Sequence, residues 1–153
     1  MQHIRYFLIA CVAGLLSLAT LHAGEPPKGF SALFNGKDLA GWKAKPDGWV
    51  VEDDGVLARR KGAGYIWTEK SYGDFILELE VKMSKRCNSG VFFRTNPKNA
   101  VQGGFEIQVF DSAGKKNVGK HDNGALYDAV PPSANPTKPA GEWNKFCITC
   151  QGP

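Results

Sequence analysis

The stretch Gly104-Phe105-Glu106-Ile107-Gln108-Val109-Phe110-Asp111 alternates between apolar and polar positions. This period of two predicts a β-strand whose apolar face, at positions 105, 107 and 109, lies against a core. The opposite face carries a carboxylate, an amide and an aromatic ring, from Glu106, Gln108 and Phe110. These groups suit a groove that binds a sugar, because polar atoms hold hydroxyls and a ring covers a sugar face. The alternative is an ordinary outer strand face.

Similar short strands are predicted along the rest of the chain. The clearest covers residues 75–83, where every second side chain is apolar and is expected to point inward. Others are predicted at residues 30–34, 49–52, 56–59, 65–68, 91–94, 124–127 and 142–150. Glycines and prolines separate them at intervals of roughly ten residues, and no segment after residue 23 has a helical period. The pattern predicts one all-β domain, an antiparallel β-sandwich, over residues 24–153.

The first 23 residues are predicted to be a secretory signal peptide. Arg5 supplies a positive charge, residues 6–21 are apolar with small side chains among them, and residues 22–27 break the run. Cleavage is expected after Ala23. The apolar run is shorter than the ~20 residues that a membrane-spanning helix needs, which argues against an anchor. We therefore expect a periplasmic or secreted protein without stable membrane insertion.

Charge and histidine content limit the possible functions. The chain has 19 lysines and arginines against 15 acidic residues, and without Arg5 the basic count falls to 18. These charges are scattered rather than clustered, which argues against a nucleic-acid partner. Removal of residues 1–23 also leaves His121 as the only histidine. A histidine-rich metal site and a two-histidine mechanism are therefore excluded.

Three cysteines follow the predicted cleavage point: Cys87, Cys147 and Cys150. The spacing of the last two resembles a redox or zinc pair, but they fall in a predicted strand, where residues three apart face opposite sides. No second pair is present to complete a zinc site. The cysteines are expected either to pack in the fold or to form one disulfide, from Cys87 to Cys147 or Cys150.

Several blocks of the sequence resemble a known family. The first reads Leu33-Phe34-Asn35-Gly36-Lys37-Asp38-Leu39 and continues to Gly41-Trp42. The others are residues 67–75 (Trp-Thr-Glu-Lys-Ser-Tyr-Gly-Asp-Phe), 88–94 (Asn-Ser-Gly-Val-Phe-Phe-Arg), 104–109 (Gly-Phe-Glu-Ile-Gln-Val), 124–128 (Gly-Ala-Leu-Tyr-Asp) and 138–144 (Lys-Pro-Ala-Gly-Glu-Trp-Asn). Together they resemble the 3-keto-disaccharide hydrolase family over residues 29–152.

The resemblance implies a sandwich of the concanavalin A-like lectin and glucanase type. Glucanases with that fold carry Glu-x-Asp-x-(x)-Glu on one strand, whereas this chain reads Glu106-x-Gln108-x-x-Asp111. Their retaining mechanism needs two carboxylates about 5 Å apart. Glu106 and Asp111 are an odd number of residues apart, so only a bulge would bring them to one face. Direct hydrolysis of the glucanase type is therefore not expected.

The resemblance implies instead a substrate that is already oxidised at carbon 3, a 3-keto-disaccharide or another oxidised glycoside. The ketone acidifies the proton on carbon 2, so a base can start an elimination at carbon 1 that water then completes. The expected catalytic residues are Glu106 as base, Arg94 as positive charge and His121 as acid. His121 could alternatively ligate a divalent cation with a carboxylate. The expected substrate-binding residues are Gln108, Asp111, Tyr127 and Trp67.

Each of these roles has a structural alternative. Glu106 and Arg94 could form a structural ion pair, and His121 could simply be exposed in a polar loop. Tyr127, Trp67 and also Trp143 could belong to the core or rim rather than to a sugar platform. For the whole chain, the alternative to an enzyme is a non-catalytic carbohydrate-binding module, because a lectin-like fold alone does not decide between them.

The C-terminal end of the sequence carries one more expectation. The pattern at residues 142–150 places Phe146, Ile148 and Cys150 on one side of a strand, which requires a covering sheet. Members of the family continue with further strands beyond this point. We therefore expect a C-terminally incomplete domain whose apolar strand promotes association and low solubility.

Overall fold

The computed structural model describes residues 2–5 and 26–152, and within them the chain is built from short β-strands. The strands are β1 Gln2–Arg5, β2 Phe30–Ala32, β3 Trp42–Ala44, β4 Trp49–Val51, β5 Leu57–Arg59, β6 Ile66–Thr68, β7 Phe75–Lys82, β8 Asn88–Phe93, β9 Phe105–Phe110 and β10 Trp143–Cys150. The only helical element in these ranges is a 3-10 turn, Pro97–Asn99, and nothing in them could cross a membrane as a helix. The predicted all-β class is confirmed.

The chain divides into two compact units, each of which is described by itself. The first contains Met1–Val81 and Lys145–Pro153, and the second contains Lys82–Asn144. The first unit holds a four-stranded sheet in the order β10-β7-β1-β2 and two antiparallel pairs, β3 with β6 and β4 with β5. The second unit holds the antiparallel pair of β8 and β9. These antiparallel pairs agree with the strand pattern predicted for a sandwich.

Strand β1 is a parallel strand, which the antiparallel pattern of the sequence did not predict. It lies between β7 and β2, with Gln2 opposite Phe75 and His3 opposite Phe30. Residues 2–5 of the predicted signal peptide are therefore paired in a sheet. The rest of that prediction, residues 6–23, lies outside the described residues.

The sequence block that begins at Leu33 forms a turn held by its own polar groups. The Asn35 side-chain oxygen accepts hydrogen bonds from the backbone N–H groups of Lys37 and Asp38, at 2.8 and 3.0 Å. The Asn35 amide donates to the Asp38 carboxylate, and this bond is the main reason that the pKa of Asp38 is lowered. The Trp42 indole N–H then donates to the Leu33 carbonyl oxygen at 3.0 Å. These polar residues hold the turn together.

Strand β10 shows the predicted alternation most clearly. Phe146, Ile148 and Cys150 are buried, whereas Cys147 and Thr149 between them are exposed. Cys147 and Cys150 therefore face opposite sides, as predicted, and both are free thiols, as is Cys87. The side of this strand that carries Phe146, Ile148 and Cys150 is therefore its buried side.

In the second unit, β8 and β9 pair along their whole length, from Asn88 opposite Phe110 to Phe93 opposite Phe105. A third extended segment, residues 124–127, runs along the other edge of β9. The Gln108 N–H donates to the Ala125 carbonyl at 3.0 Å, and the Tyr127 N–H donates to the Glu106 carbonyl at 2.9 Å. Backbone hydrogen bonds thus attach residues 124–127 to the hairpin, with one β-bridge between Leu126 and Ile107.

The burial of β9 differs from the predicted alternation, because Glu106 and Gln108 on the polar face are buried as well. Val109 is buried and Ile107 is half-buried, as expected of the apolar face, but Phe105 is 47% exposed. The prediction that Phe105 lies in a core is wrong. Phe105 is the first residue of the strand, and its ring stacks on that of Phe93 at a centroid distance of 5.6 Å. The stacked pair thus replaces a core contact at the strand end.

The long loops of the second unit are fixed by buried polar side chains. The Asn123 side chain accepts from the Phe110 N–H at 3.0 Å and donates to the Thr137 hydroxyl at 3.1 Å. The Asn135 amide donates to the Ser112 carbonyl at 2.7 Å. Because buried polar groups are costly unless they are paired, this network holds the loops in one arrangement beside β9.

Candidate active site

Glu106, Gln108 and Tyr127 share one face of the β8–β9 hairpin and the segment 124–127 beside it. In the β8–β9 register, Phe92 is opposite Glu106 and Gly90 is opposite Gln108. Opposite residues of an antiparallel pair project to the same side, and so do residues two apart on one strand. The backbone bridge between Ile107 and Leu126 extends the rows, which places Tyr127 beside Glu106. Glu106 therefore lies between two aromatic residues, Phe92 and Tyr127.

Glu106 is a largely buried carboxylate. Its residue is 9% exposed, and this burial raises the pKa of its carboxyl group. The side chain leans across the hairpin toward Gly90, where the absence of a side chain leaves room for it. A buried carboxyl group with a raised pKa holds its proton at higher pH than an exposed one. Such shifts are common at catalytic sites.

Gln108, only 3% exposed, lies beside Glu106 on the same face. With its amide nitrogen toward β8, it donates to the Ser89 carbonyl at 2.7 Å and to Glu106 Oε1 at 3.3 Å. In the reverse orientation the nitrogen faces Asn88 Oδ1 and the His121 carbonyl at 3.3 and 3.4 Å. We favour the first orientation, because the second would place the amide oxygen only 2.7 Å from the Ser89 carbonyl oxygen, with no hydrogen between them. Gln108 then supports the Glu106 carboxylate.

His121 belongs to a cluster at the end of the 124–127 segment. Its Nε2 lies 3.1 Å from Asp128 Oδ1, and its ring lies 4.9 Å from that of Tyr127. The Lys120 ammonium also contacts Asp128 Oδ1, at 2.9 Å. Hydrogen bonds from Lys120 and His121 lower the pKa of Asp128, which is therefore an anionic partner for the imidazole. The His121 side chain is 59% exposed, so it is accessible to a ligand.

Arg94 follows the last residue of β8. Its backbone φ is 48°, so the strand geometry ends there and its side-chain direction does not follow from the alternation of β8. The Arg94 carbonyl packs closely against Gly104, just before β9. The backbone of Arg94 therefore lies near Gly104, which precedes Glu106 by two residues. The residue itself is half-buried.

Asp111 and Trp67 each have contacts of their own. One carboxylate oxygen of Asp111 accepts from the Arg86 N–H at 2.8 Å, and its own N–H donates to the Cys87 carbonyl at 3.1 Å. Asp111 therefore holds the turn before β8. Trp67 lies on β6 in the first unit, with its ring 5.6 Å from that of Tyr65.

Trp143, the third candidate aromatic residue, lies on β10. Its ring has the Lys82 ammonium 5.1 Å from its centroid. This cation–π contact stabilises a charged side chain at the surface and gives the ring a structural role.

A metal site does not emerge from the geometry of the described part of the chain. Among residues 26–152, no three histidine, cysteine or acidic side chains are grouped so that they could hold a metal ion. His121 and Asp128 provide one pair. Asp122, the next acidic residue along the chain, is occupied by the Lys115 ammonium at 2.7 Å and the Gly119 N–H at 2.6 Å.

Sequence reasoning missed two residues that contact candidate site residues: Gly90, beside Glu106, and Asp128, beside His121. A glycine inside a strand pattern is a known signal for close approach of another group, so Gly90 could have been found. Asp128 could not, because its contact with His121 depends on how the loop folds back. Its backbone φ of 58° is part of that return.

Comparison with known proteins identifies relatives of the chain. A family model described as 3-keto-alpha-glucoside-1,2-lyase-like domain matches residues 29–153. A 3-keto-disaccharide hydrolase of Bacteroides thetaiotaomicron is 29% identical in an alignment 151 positions long, gaps included, which covers 78% of this chain and 52% of that protein. The chain thus spans about half the length of this curated relative.

Solved structures of Parabacteroides distasonis proteins, each described as a "putative glycosyl hydrolase", are also similar. One has a TM-score of 0.69 at 28% identity and covers 90% of this chain and 68% of its own. A second has a TM-score of 0.65 at 32% identity, with coverages of 77% and 61%. The family match spans most of the sequence and includes every residue of the face around Glu106. The chain therefore belongs to the family of 3-keto-α-glucoside-1,2-lyase-like domains.

Proposed function

We propose that this chain cleaves the glycosidic bond of 3-keto-glycosides or 3-keto-disaccharides, by elimination followed by addition of water. The observation that carries the proposal is the buried Glu106 carboxylate, whose pKa is raised and whose neighbours are an amide and two aromatic residues. A general base works best when its pKa lies nearer the working pH than that of an exposed carboxylate. The name of the Bacteroides relative supports the same substrate class.

Glu106 is assigned the first step. Its carboxylate takes the proton from carbon 2, and the electrons of that bond move to the oxygen of the carbon 3 ketone, giving an enolate. When the ketone re-forms, the bond from carbon 1 to the leaving oxygen breaks and a carbon 1–carbon 2 double bond remains. Water then adds across it, with hydroxyl to carbon 1 and a proton to carbon 2. The net reaction is hydrolysis.

The other residues are assigned to charge and proton balance. Arg94 supplies positive charge for the enolate oxygen, which is the group that gains negative charge in the first step. His121, hydrogen-bonded to Asp128, supplies the proton that the leaving oxygen needs. Gln108 donates to the Glu106 carboxylate through its amide nitrogen, and its amide oxygen accepts from a sugar hydroxyl.

Substrate contacts are assigned to the aromatic residues. Tyr127 lies beside Glu106 and is half-buried, which suits a ring that covers one face of a sugar. Trp67 is proposed as a second sugar contact. Asp111 remains in the proposal as a residue that shapes the site, because its carboxylate already binds the Arg86 N–H.

The test is turnover of a 3-keto-glucoside in deuterated water. Elimination and re-addition bring deuterium to carbon 2 of the product, whereas direct displacement at carbon 1 leaves the original hydrogen there. The product incubated alone with the protein measures background exchange. Glu106→Gln is the matched variant, because it keeps the shape and removes the base. Deuterium in the product, lost with Glu106→Gln, supports the proposal.

Two other outcomes would redirect it. Turnover without deuterium would indicate direct glycoside hydrolysis. Binding of the sugar without any turnover, in wild type as in Glu106→Gln, would indicate a non-catalytic carbohydrate-binding module. A parallel reaction with a chelator tests whether a divalent cation takes part.

Export to the periplasm or the medium is also proposed. It is supported by Arg5 and by the apolar residues 6–21 that precede Ala23. Mass spectrometry of the protein recovered from outside the cytoplasm should find an N-terminus near Gly24. An intact Met1 on protein from the cytoplasm would contradict export.

A further inference from the structure

Gly90 lies in the middle of β8, where glycine is an unfavourable residue. Glycine in a strand interior loses more conformational entropy than other residues and packs no side chain. Its backbone φ is not in the left-handed region, so the conformation itself does not require glycine. Nor does it form a turn, because it pairs with Gln108 inside the hairpin register. The reason for a glycine must therefore lie in the space next to its Cα.

That space is filled by Glu106. A Cβ atom added at Gly90 would lie 2.7 Å from both Cγ and Cδ of Glu106, and closer still to its Oε1. Carbon atoms in contact are normally about 3.5–4.0 Å apart. Any side chain at position 90 would therefore force the Glu106 carboxylate to move. Gln108, two residues after Glu106 on β9, donates a hydrogen bond to the same carboxylate.

We propose that Gly90 is a positioning residue for Glu106. Because Gly90 has no side chain, the Glu106 carboxylate can lie over β8 at this position, beside Gln108. The inference deepens the proposed function and rests on it, since the position affects turnover only if Glu106 is the base. A displaced carboxylate loses its alignment with the proton on carbon 2. A misplacement of about 1 Å in a catalytic group can cost 10²-fold in rate.

The first test compares Gly90→Ala with Gly73→Ala in the full chain. Gly73 is the matched control, because a Cβ there would meet nothing within 4 Å and its φ is not in the left-handed region. We expect Gly90→Ala to lower kcat by roughly ten- to hundredfold with KM little changed, and Gly73→Ala to leave both unchanged. Full activity in Gly90→Ala would overturn the proposal.

Rescue by a shorter side chain separates positioning from general damage to the hairpin. Glu106→Asp removes one methylene and thus makes room for a methyl group at position 90. In the Glu106→Asp background, Gly90→Ala should lower the remaining activity by about twofold at most, a non-additive result that contacts produce. An equal loss in both backgrounds would show that the two residues act independently and would overturn the proposal.

A stability measurement keeps this inference separate from the proposed function. If the wild-type chain turns over no 3-keto-glycoside, the proposed function fails, and thermal unfolding then decides the inference alone. Gly90→Ala should lower Tm by several degrees with Glu106 present, and much less in the Glu106→Ala background, where the carboxylate is gone. The same decrease in both backgrounds would overturn it.

Discussion

At the scale of single residues, the raised pKa of Glu106 has consequences for stability and, in the proposed reaction, for the pH dependence of activity. Burial raises the pKa of this carboxyl group in the folded chain, whereas the unfolded chain exposes it to water. The folded state therefore binds this proton more tightly. The stability associated with it is complete below the unfolded pKa and is lost as pH rises through the folded pKa.

We expect the acid limb of the pH profile of kcat/KM to lie above the ~4.3 of an exposed glutamate, because the base must be ionised to act. The stability of the wild-type chain should change in the opposite direction, because it falls as Glu106 ionises. The Tm of Glu106→Gln relative to wild type should rise as the pH increases through that limb. A constant Tm difference across the range would show that the pKa of Glu106 is not raised.

Asp128 provides a second prediction at this scale. Asp128→Asn removes the anionic partner of His121 without changing the size of the side chain. If His121 is the acid, kcat should fall roughly tenfold, part of the 10²–10⁴-fold that general acids supply. Lys120→Ala is the control, because it removes the other contact of Asp128 and leaves that of His121. Equal effects of both substitutions would argue against His121.

At the scale of elements, β10 permits a comparison of neighbouring positions. Ile148 is 6% exposed, whereas Thr149 on the same strand is exposed. Ile148→Ala should lower the free energy of unfolding by about 2–5 kcal/mol, because it leaves a cavity. Thr149→Ala should lower it by less than about 0.5 kcal/mol. Denaturant unfolding of both variants makes the measurement, and equal losses would contradict the assignment of a buried and an exposed face.

Elements could be predicted where a local pattern is sufficient. The period of two located β7, β9 and β10 within one or two residues of their observed bounds, and the strands predicted at residues 49–52 and 56–59 are observed as the antiparallel pair β4 and β5. The arrangement of the candidate site is a different matter. Tyr127 reaches Glu106 because residues 124–127 pair with β9 across a long loop, and no local pattern encodes that return.

Arg94 shows the limit of the same reasoning within one strand. Alternation alone would have continued β8 through this residue and placed its side chain on the face of Phe92. The positive φ of Arg94 ends that geometry. The Arg94 carbonyl lies against Gly104, and the sequence pattern does not reveal this contact.

At the scale of the whole molecule, the position of β1 connects export to folding. Cleavage after Ala23 would remove β1, which lies between β7 and β2. Each neighbour would then present unpaired N–H and C=O groups along one edge. Open edges of this kind pair with strands from other chains, so processing would change how the protein associates.

We expect a chain that begins at Gly24 to have a lower Tm than the full chain and to form oligomers that light scattering detects. His3→Pro in the full chain should reproduce part of the effect, because proline removes a ladder N–H from β1 without removing the segment. If the shortened chain stays monomeric with an unchanged Tm, β1 contributes nothing to the sheet.

Because Cys147 is exposed and Cys150 is buried, the rates at which the two thiols react can report how often β10 opens. Both are free thiols, but Cys147 is exposed and Cys150 is 8% exposed. A thiol reagent should modify Cys147 at the rate of a free peptide, whereas Cys150 reacts only when the strand opens. Mass spectrometry of the two sites over time would give the free energy of opening of β10 without any substitution in the chain. Equal rates would mean that this strand is open most of the time.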